Sequence, residues 1–249
     1  MLTLLATAAL AQTPPAPAPA APAGPTVAPC TVFAPVYTID GKNPPQAGSM
    51  FAVKVGAKTV LVTSFSMFGP AGGQAAQIPA DKLAEHVTAV SALDAFAPTT
   101  VCGRSTKVLS MADAAPFGQG HDMTKDIAAF EMADPDLASM ATAVPVSALT
   151  FAAAAPTVGD PVYLLAKLKN QTTAKAFSAK IVQSDAGYVF FQFDDATLDL
   201  AGTPGAPLVD AKGALLGVDV AGQKMQDGAL IGGATPLATT RSRLEAAAK

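Results

Sequence analysis

The segment from Gly202 to Val218 limits the possible folds of this chain more than any other stretch. It begins with Gly-Thr-Pro-Gly-Ala-Pro, in which glycines and prolines favour a tight loop. Leu208-Val209 and Ala214 to Val218 are short apolar runs typical of strands, and the polar, glycine-containing run Asp210 to Gly213 between them is typical of a hairpin turn. The sequence therefore predicts a special loop that leads directly into an ordinary β-hairpin.

The composition favours an all-β protein with a substantial core. Half of the 249 residues are apolar, and the 20 glycines and 21 prolines suit many short strands and turns better than long helices. Only 14% of the residues are charged, the formal net charge is -3, and lysine and arginine form no cluster. The chain therefore lacks the basic surface that nucleic acid requires, and we predict no nucleic-acid partner.

The first 29 residues are predicted to form a signal peptide and a linker. Residues 1–11 form a short apolar run that ends in Ala9-Leu10-Ala11, the small-x-small pattern of a signal-peptidase site, although no basic residues precede it. Residues 12–29 are rich in alanine and proline and predict an extended linker. We therefore predict an exported protein, periplasmic or secreted, with no transmembrane anchor, whose folded domain spans residues 30–249.

Short strand-like runs fill most of this domain. Glycine-containing turns such as Asp40-Gly41 and Gly56-Ala57 separate them. The clearest runs are Val36 to Ile39, Met50 to Val55, Lys58 to Thr63, Lys107 to Leu109, Val162 to Ala166, Lys175 to Val182 and Tyr188 to Phe193. The last nine residues, Arg241 to Lys249, are good helix formers and predict a short C-terminal helix.

The loop and hairpin at Gly202 to Val218 resemble the nucleophile loop of the trypsin-like (chymotrypsin-fold) serine peptidases, Gly-x-Ser-Gly-Gly-Pro followed by a strand pair. The resemblance places the nucleophilic serine at Pro204, which has neither a hydroxyl to attack with nor a backbone N–H to donate. Gly202, Thr203 and Gly205 are the counterparts of the oxyanion loop, and the missing N–H removes one of its two donors.

Two further segments support the resemblance. Leu61 to Met67 is similar to the family's Leu-Thr-Ala-Ala-His-Cys, which places Ser66 at the position of the general-base histidine, a role that a hydroxyl cannot fill near neutral pH. Asp126 to Met132 is similar to the family's Asp-Ile-Ala-Leu-Leu, which retains the aspartate at Asp126. Without an imidazole to orient, Asp126 is expected to be a structural carboxylate, capped by backbone N–H groups or by the Ser66 hydroxyl.

The resemblance implies two six-stranded antiparallel β-barrels, at about residues 30–140 and 145–240, with Ser66, Asp126 and Pro204 in the cleft between them. It also makes Val220, Ala221 and Gly222 the counterpart of the strand that pairs with substrate backbone. Edge pairing needs no catalytic residue. We therefore predict a catalytically inactive pseudoprotease that binds a polypeptide partner, and we expect no cofactor.

Other interpretations of the sequence remain open. An active endopeptidase with a misplaced triad would need a nucleophile beside His86 or His121, and neither lies in a strand-end motif of the required kind. A purely structural envelope-associated domain, or an unrelated all-β exported domain, is also compatible with the composition. In an oxidising compartment Cys30 and Cys102 are predicted to form a disulfide, and two histidines without Cys/His spacing offer no metal site.

Overall fold

The computed structural model describes residues 24–44, 47–117, 122–133, 144–169 and 171–249. The predictions for the signal peptide, for residues 12–23 of the linker and for His121 lie outside these residues. Within them, the first part of the chain contains β1 (Val32–Ile39), β2 (Met50–Val55), β3 (Lys58–Thr63), α1 (Leu83–His86), β4 (Val87–Asp94), β5 (Val101–Ser105), β6 (Lys107–Leu109) and β7 (Ala128–Glu131). The second part contains β8 (Pro161–Ala166), β9 (Lys175–Ser184), β10 (Val189–Phe193), β11 (Pro207–Val209), β12 (Leu215–Lys224), β13 (Leu230–Ala234) and α2 (Leu237–Ala247).

The second part is a closed antiparallel barrel of six strands, in the order β10-β13-β12-β11-β8-β9. Apolar side chains on alternate positions fill it, as the period of a half-buried strand requires. Phe177, Ala179 and Ile181 of β9, for example, are buried while Lys180 between them is exposed. The predicted six-stranded C-terminal barrel is therefore present, and the short C-terminal helix follows it.

The first part differs from the predicted six-stranded barrel, because it is a seven-stranded sheet in the order β5-β4-β1-β2-β3-β7-β6. The extra strand arises at Thr106, which alone separates β5 from β6. β5 pairs with β4 at one edge, and β6 pairs with β7 at the other. One bent stretch of chain thus supplies both edges of the sheet. The sequence analysis anticipated only the β6 portion of it.

An apolar layer joins the two β units. Val53, Val60 and Val62 on the outer face of the first sheet pack with Leu215 and Val218 of β12 in the second barrel. Leu244 of α2 completes this layer. Because these valines lie on the face opposite the sheet's own core, β2 and β3 are buried on both faces, which explains why they read as nearly continuous apolar runs.

The predicted disulfide is present between Cys30 and Cys102, with a Cα–Cα distance of 5.6 Å. The disulfide links Cys30, which lies two residues before β1, to the edge strand β5. The end of the predicted linker also contacts the domain. Val27 packs on a small apolar cluster that includes Tyr163, and Pro25 lies next to Gly213 in the β11–β12 turn.

Candidate functional site

Close backbone contacts hold the loop between Gly202 and Pro207, the 202–207 loop, against the first sheet. Gly202 and Gly205 have φ angles of +89° and +90°, a region that favours glycine. A Cβ on Gly205 would lie 2.1 Å from the carbonyl oxygen of Ser49 and 2.4 Å from Oγ1 of Thr63. The second glycine of the motif is therefore required both by its backbone conformation and by the first sheet.

The backbone N–H groups of this loop are almost all used within the protein. Thr203 donates to Leu200 O (3.1 Å), Gly205 to Asp219 O (2.7 Å) and Ala206 to Thr203 O (2.8 Å). Pro204 has no N–H to donate. Of the loop's N–H groups, only that of Gly202 has no acceptor among the described residues. The loop therefore cannot present the pair of donors that an oxyanion hole needs.

The position predicted for a nucleophile is occupied by the Pro204 ring, and its carbonyl is fixed from the first sheet. The N–H of Ser49 donates to Pro204 O at 2.8 Å, and the Ser49 hydroxyl donates to Gly202 O at 2.9 Å. Thr63 in turn donates to Ser49 O at 2.8 Å. These three hydrogen bonds join the 202–207 loop to β3 through the residue that precedes β2.

Asp126, two residues before β7, is fully buried among donors from segments that flank the strands of the first sheet. Its Oδ1 accepts the N–H of Ser66 and the hydroxyl of Ser64, both at 2.7 Å, and its Oδ2 accepts the N–H of Phe117 at 2.9 Å. The hydroxyls of Ser64 and Ser66 are 2.5 Å apart. Three donors thus bond directly to the carboxylate: two backbone N–H groups and the hydroxyl of Ser64, a residue that the sequence analysis did not single out.

Two opposing effects act on the Asp126 carboxyl. Burial raises its pKa, while the N–H groups of Phe117 and Ser66 and the hydroxyls of Ser64 and Ser66 oppose the rise. A carboxylate with three good donors can stay ionised in a buried site. We therefore interpret Asp126 as a charged structural cap for the segment that carries Ser66. Among the described residues no imidazole hydrogen-bonds to it, since His86 bonds to Asp40.

A second buried carboxyl, that of Asp219 in β12, lies near the first. Neither of its oxygens has a hydrogen-bond partner in the described part of the chain. Burial raises the pKa of Asp219 to about 8, with a further rise from the charge of Asp126 and an opposing effect from Thr203. The hydroxyl of Thr203 nevertheless donates its hydrogen to Leu200 O (3.0 Å) and so is not available as a donor to the carboxyl. The sequence analysis missed Asp219, although an aspartate between two valines in a buried run is an evident signal.

A cavity of about 370 Å³ adjoins the loop on the side of the free strand edge. Pro204 and Met67, the residue after Ser66, both line it. Its remaining wall includes Leu200 and Gly222, which are in close contact, since a Cβ on Gly222 would lie 2.4 Å from Leu200 Cδ1. We refer to this space as the cleft. Of the residues predicted for the site, Gly202, Pro204 and Gly222 line it, whereas Ser66, Asp126, Val220 and Ala221 do not.

The end of β12 has one free edge. Residues Ala221 to Lys224 pair with β13 on one side, while β11 pairs with β12 only as far as Val218. A register shift between Asp219 and Ala221 turns the strand at this point. The backbone of Asp219 is hydrogen-bonded to the 202–207 loop, and beyond it this side of β12 has no strand partner in the described chain. The edge from Ala221 onward therefore borders the cleft with backbone groups that a further strand could use.

The remaining candidate residues lie elsewhere. The ring of His86 is exposed, and its one hydrogen bond in the described chain is to Asp40, at 2.8 Å. Among the described residues, the only cluster of metal-ligating types is Cys30, Asp94 and Cys102, whose two sulfurs are joined in the disulfide. No described helix has the length and apolar character needed to cross a bilayer.

No protein-family model matches this chain, and no curated protein matches it by sequence. Solved structures do match. A protease from M. tuberculosis in its active form is 16% identical, with a TM-score of 0.52 over 86% of this chain and 79% of that one. The protease Anisep from Arthrobacter nicotinovorans is 15% identical, with a TM-score of 0.55 over 88% and 95%. A serine endoprotease from Yersinia pestis is 16% identical, with a TM-score of 0.55, and this chain spans 62% of it.

These matches confirm the predicted resemblance at the level of the fold. The chain has the fold of the trypsin-like serine peptidases, with a closed six-stranded barrel, a second β-sheet and a C-terminal helix. At such low identity the likeness concerns the fold alone and does not extend to activity.

Proposed function

We propose that the protein is an exported pseudoprotease that binds an extended polypeptide in the cleft without cleaving it. The observation that carries this proposal is the proline at position 204, where the resemblance predicts the nucleophile, because proline has neither hydroxyl nor N–H. Ser66, at the predicted general-base position, removes proton transfer as well, because a hydroxyl cannot act as a base near neutral pH. Its hydroxyl is instead paired with that of Ser64. The two changes remove attack, proton transfer and one oxyanion donor together.

Binding needs none of these groups. The free edge of Ala221 to Lys224 can pair with a peptide strand, which supplies affinity through main-chain hydrogen bonds. The cleft beside it is large enough for a peptide side chain, and Leu198, Leu200 and Leu230 give it apolar walls. Its polar lining includes Asp199 and Lys224 but no cluster of either charge. These features favour a partner segment with small or apolar side chains at the cleft.

A blocking variant and a matched control test this proposal. Ala201 is exposed and lines the cleft, so Ala201→Trp should fill it without disturbing the core. Ala211 is equally exposed but lies in the β11–β12 turn, so Ala211→Trp is the control. Peptides selected from a random display library on the wild type should bind Ala211→Trp unchanged and Ala201→Trp about tenfold or more weakly.

The same experiment separates binding from cleavage. Mass spectrometry of the bound peptide after prolonged incubation should recover it intact, and amide signals of Ala221 to Gln223 should shift on binding. Equal affinity of both tryptophan variants would place the ligand elsewhere and contradict the proposal. Recovery of cleaved peptide, with the cleavage lost in His86→Ala, would favour an active peptidase instead.

Export is a separate part of the proposal. It rests on the small-x-small pattern at Ala9 to Ala11, and the disulfide is consistent with an oxidising compartment. When the full chain is expressed in a bacterial host, we expect mature protein in the exported fraction, beginning at Gln12. Full-length protein retained in the cytosol would contradict this part and leave the binding proposal to its own test.

A further inference from the structure

Asp219 is the residue through which β12 holds the 202–207 loop. Its carbonyl accepts the N–H of Gly205 at 2.7 Å, and its own N–H donates to Ala206 O at 2.8 Å. These two hydrogen bonds are formed where β12 leaves its partner β11 and turns toward the free edge. A disturbance at Asp219 therefore acts on the loop and on the edge strand together.

The side chain of Asp219 is poorly placed for a charge. It is 1% exposed, and neither oxygen has a hydrogen-bond partner in the described chain. The charged group that acts on it is the Asp126 carboxylate, and no lysine, arginine or histidine of the described chain contributes an opposing effect. The hydroxyl of Thr203, on the loop side, does not relieve this, because it donates its hydrogen to Leu200 O.

A neutral carboxyl can remain in such an environment, whereas an ionised carboxylate there carries a large free-energy cost. Moving an unpaired charge out of water is strongly unfavourable, and a like charge nearby increases the cost. Asp126 keeps its three donors and holds its charge more easily, so Asp219 is the member of the pair that stays protonated. An ionised Asp219 carboxylate is stabilised only where water can reach it. The 202–207 loop is hydrogen-bonded to the Asp219 backbone, so its displacement is the local movement that would admit water.

We propose that Asp219 makes the position of the 202–207 loop depend on pH: the loop packs on β12 while the carboxyl is protonated and separates from the strand when it ionises. Separation also frees the start of the edge strand that borders the cleft. Under the proposed function, on which this consequence rests, polypeptide binding weakens as the pH rises and is strongest under mildly acidic conditions.

Amide hydrogen exchange measures the loop separation without any ligand. Because opening releases one proton from Asp219, the protection factors of the Gly205 and Asp219 amides should fall about tenfold per pH unit from roughly pH 5 to 8. They should also remain well below that of Leu61 in the core of the first sheet, since the loop opens locally. The isosteric variant Asp219→Asn cannot ionise, so its protection factors should not change with pH.

Several results would overturn the proposal. These are protection factors independent of pH in the wild type, the same decline in Asp219→Asn, or protection at Gly205 equal to that at Leu61, which would mean that only global unfolding exposes Asp219. If Asp219→Asn does not fold, the carboxyl carbon of Asp219 in the wild type provides the readout. Its NMR titration should show a midpoint near pH 8, and a midpoint near 4 would contradict the proposal.

A peptide arm then tests the consequence. A library-selected peptide should bind the wild type several-fold more weakly at pH 9 than at pH 6, and bind Asp219→Asn equally at both. No binding at either pH, with the exchange result as expected, would count against the proposed function alone. Equal binding at both pH values despite loop separation would show that the loop does not control the cleft.

Discussion

Asp126 and Asp219 lie close together where the two β units meet, and both are buried, yet their surroundings are opposite. Asp126, on the side of the first sheet, accepts hydrogen bonds from two backbone N–H groups and the Ser64 hydroxyl. The carboxyl of Asp219, on the side of the second barrel, accepts none from the described residues. Burial alone therefore does not decide the role of an acidic residue. The donors around it decide whether it stabilises the fold or opposes it.

The Asp126 carboxylate has a structural task although no imidazole of the described residues bonds to it. The carboxylate that would orient a histidine in a peptidase here organises the backbone around Ser66 and Phe117. This task is independent of catalysis, so it does not require a nucleophile in the 202–207 loop. Asp219 has no comparable structural task for its side chain, and the mutational predictions follow from this difference.

The largest effect is expected for Asp126→Ala. Removal of the carboxylate leaves three buried donors without an acceptor, so the free energy of unfolding should fall by about 3–5 kcal/mol at pH 7. Asp126→Asn keeps one acceptor oxygen and should lose less. Urea denaturation measures both. A loss below about 1 kcal/mol for Asp126→Ala would remove the contrast between the two carboxyls.

Replacement of Asp219 should raise the free energy of unfolding, and the size of this gain should depend on pH. Its folded-state pKa of about 8 lies above the ordinary aspartate value, so its contribution is fully present below about pH 4 and is lost as the pH rises through about 8. Across that window the free energy of unfolding should fall by roughly 1.4 kcal/mol per pH unit through this group. Asp219→Asn should lack this slope and be more stable than the wild type at pH 8. Identical slopes for the two proteins in urea unfolding at pH 5 to 8 would contradict the assignment.

A glycine pair tests the contact between the 202–207 loop and the first sheet. Gly205→Ala combines a positive φ with a Cβ placed against Ser49 O and Thr63 Oγ1, and should cost roughly 3 kcal/mol. Gly228→Ala has a similar φ of +88° but nothing within 4 Å of the new Cβ, and should cost only about 1 kcal/mol. Thermal unfolding of both variants provides the comparison. Equal losses would show that the contact with the first sheet contributes little.

The smallest effect distinguishes the two serines beside Asp126. Ser64→Ala removes a hydroxyl that donates to the carboxylate and should cost about 1–2 kcal/mol. Ser66→Ala should cost less, because the main bond from Ser66 to Asp126 is made by its backbone N–H. Chemical denaturation of the two variants side by side measures the difference. A larger loss for Ser66→Ala would mean that its hydroxyl is the principal cap.

The sequence predicted the architecture where local signals were strong. The Gly-Thr-Pro-Gly-Ala-Pro loop, the hairpin after it and the alternating strands of the second barrel were all legible from turn residues and period. The strands of the first sheet were harder to predict from the sequence. β4 and β5 lie in the stretch between Gly69 and Met111 that offered only weak patterns, and the break at Thr106 depends on tertiary pairing with β4 and β7.

The sequence offered candidate positions for the site but not its side-chain network. Pro204, Ser66 and Asp126 could be singled out from motif order, because Ser66 follows the β3 run while Asp126 and Pro204 precede the runs that form β7 and β11. The role of Ser64 could not be placed, since it depends on a hydrogen bond across 62 residues of sequence. The isolation of Asp219 also depends on which groups from distant segments fail to reach it. Such information is absent from any local pattern.

The central claim is that the nucleophile position of this fold holds a residue that cannot react. The direct test is exposure of the purified protein to a fluorophosphonate probe, followed by intact-mass analysis, with trypsin as the reactive control. The account predicts no adduct on this chain under conditions that label trypsin completely. A stoichiometric adduct on any serine or threonine, lost when that residue is replaced by alanine, would contradict it.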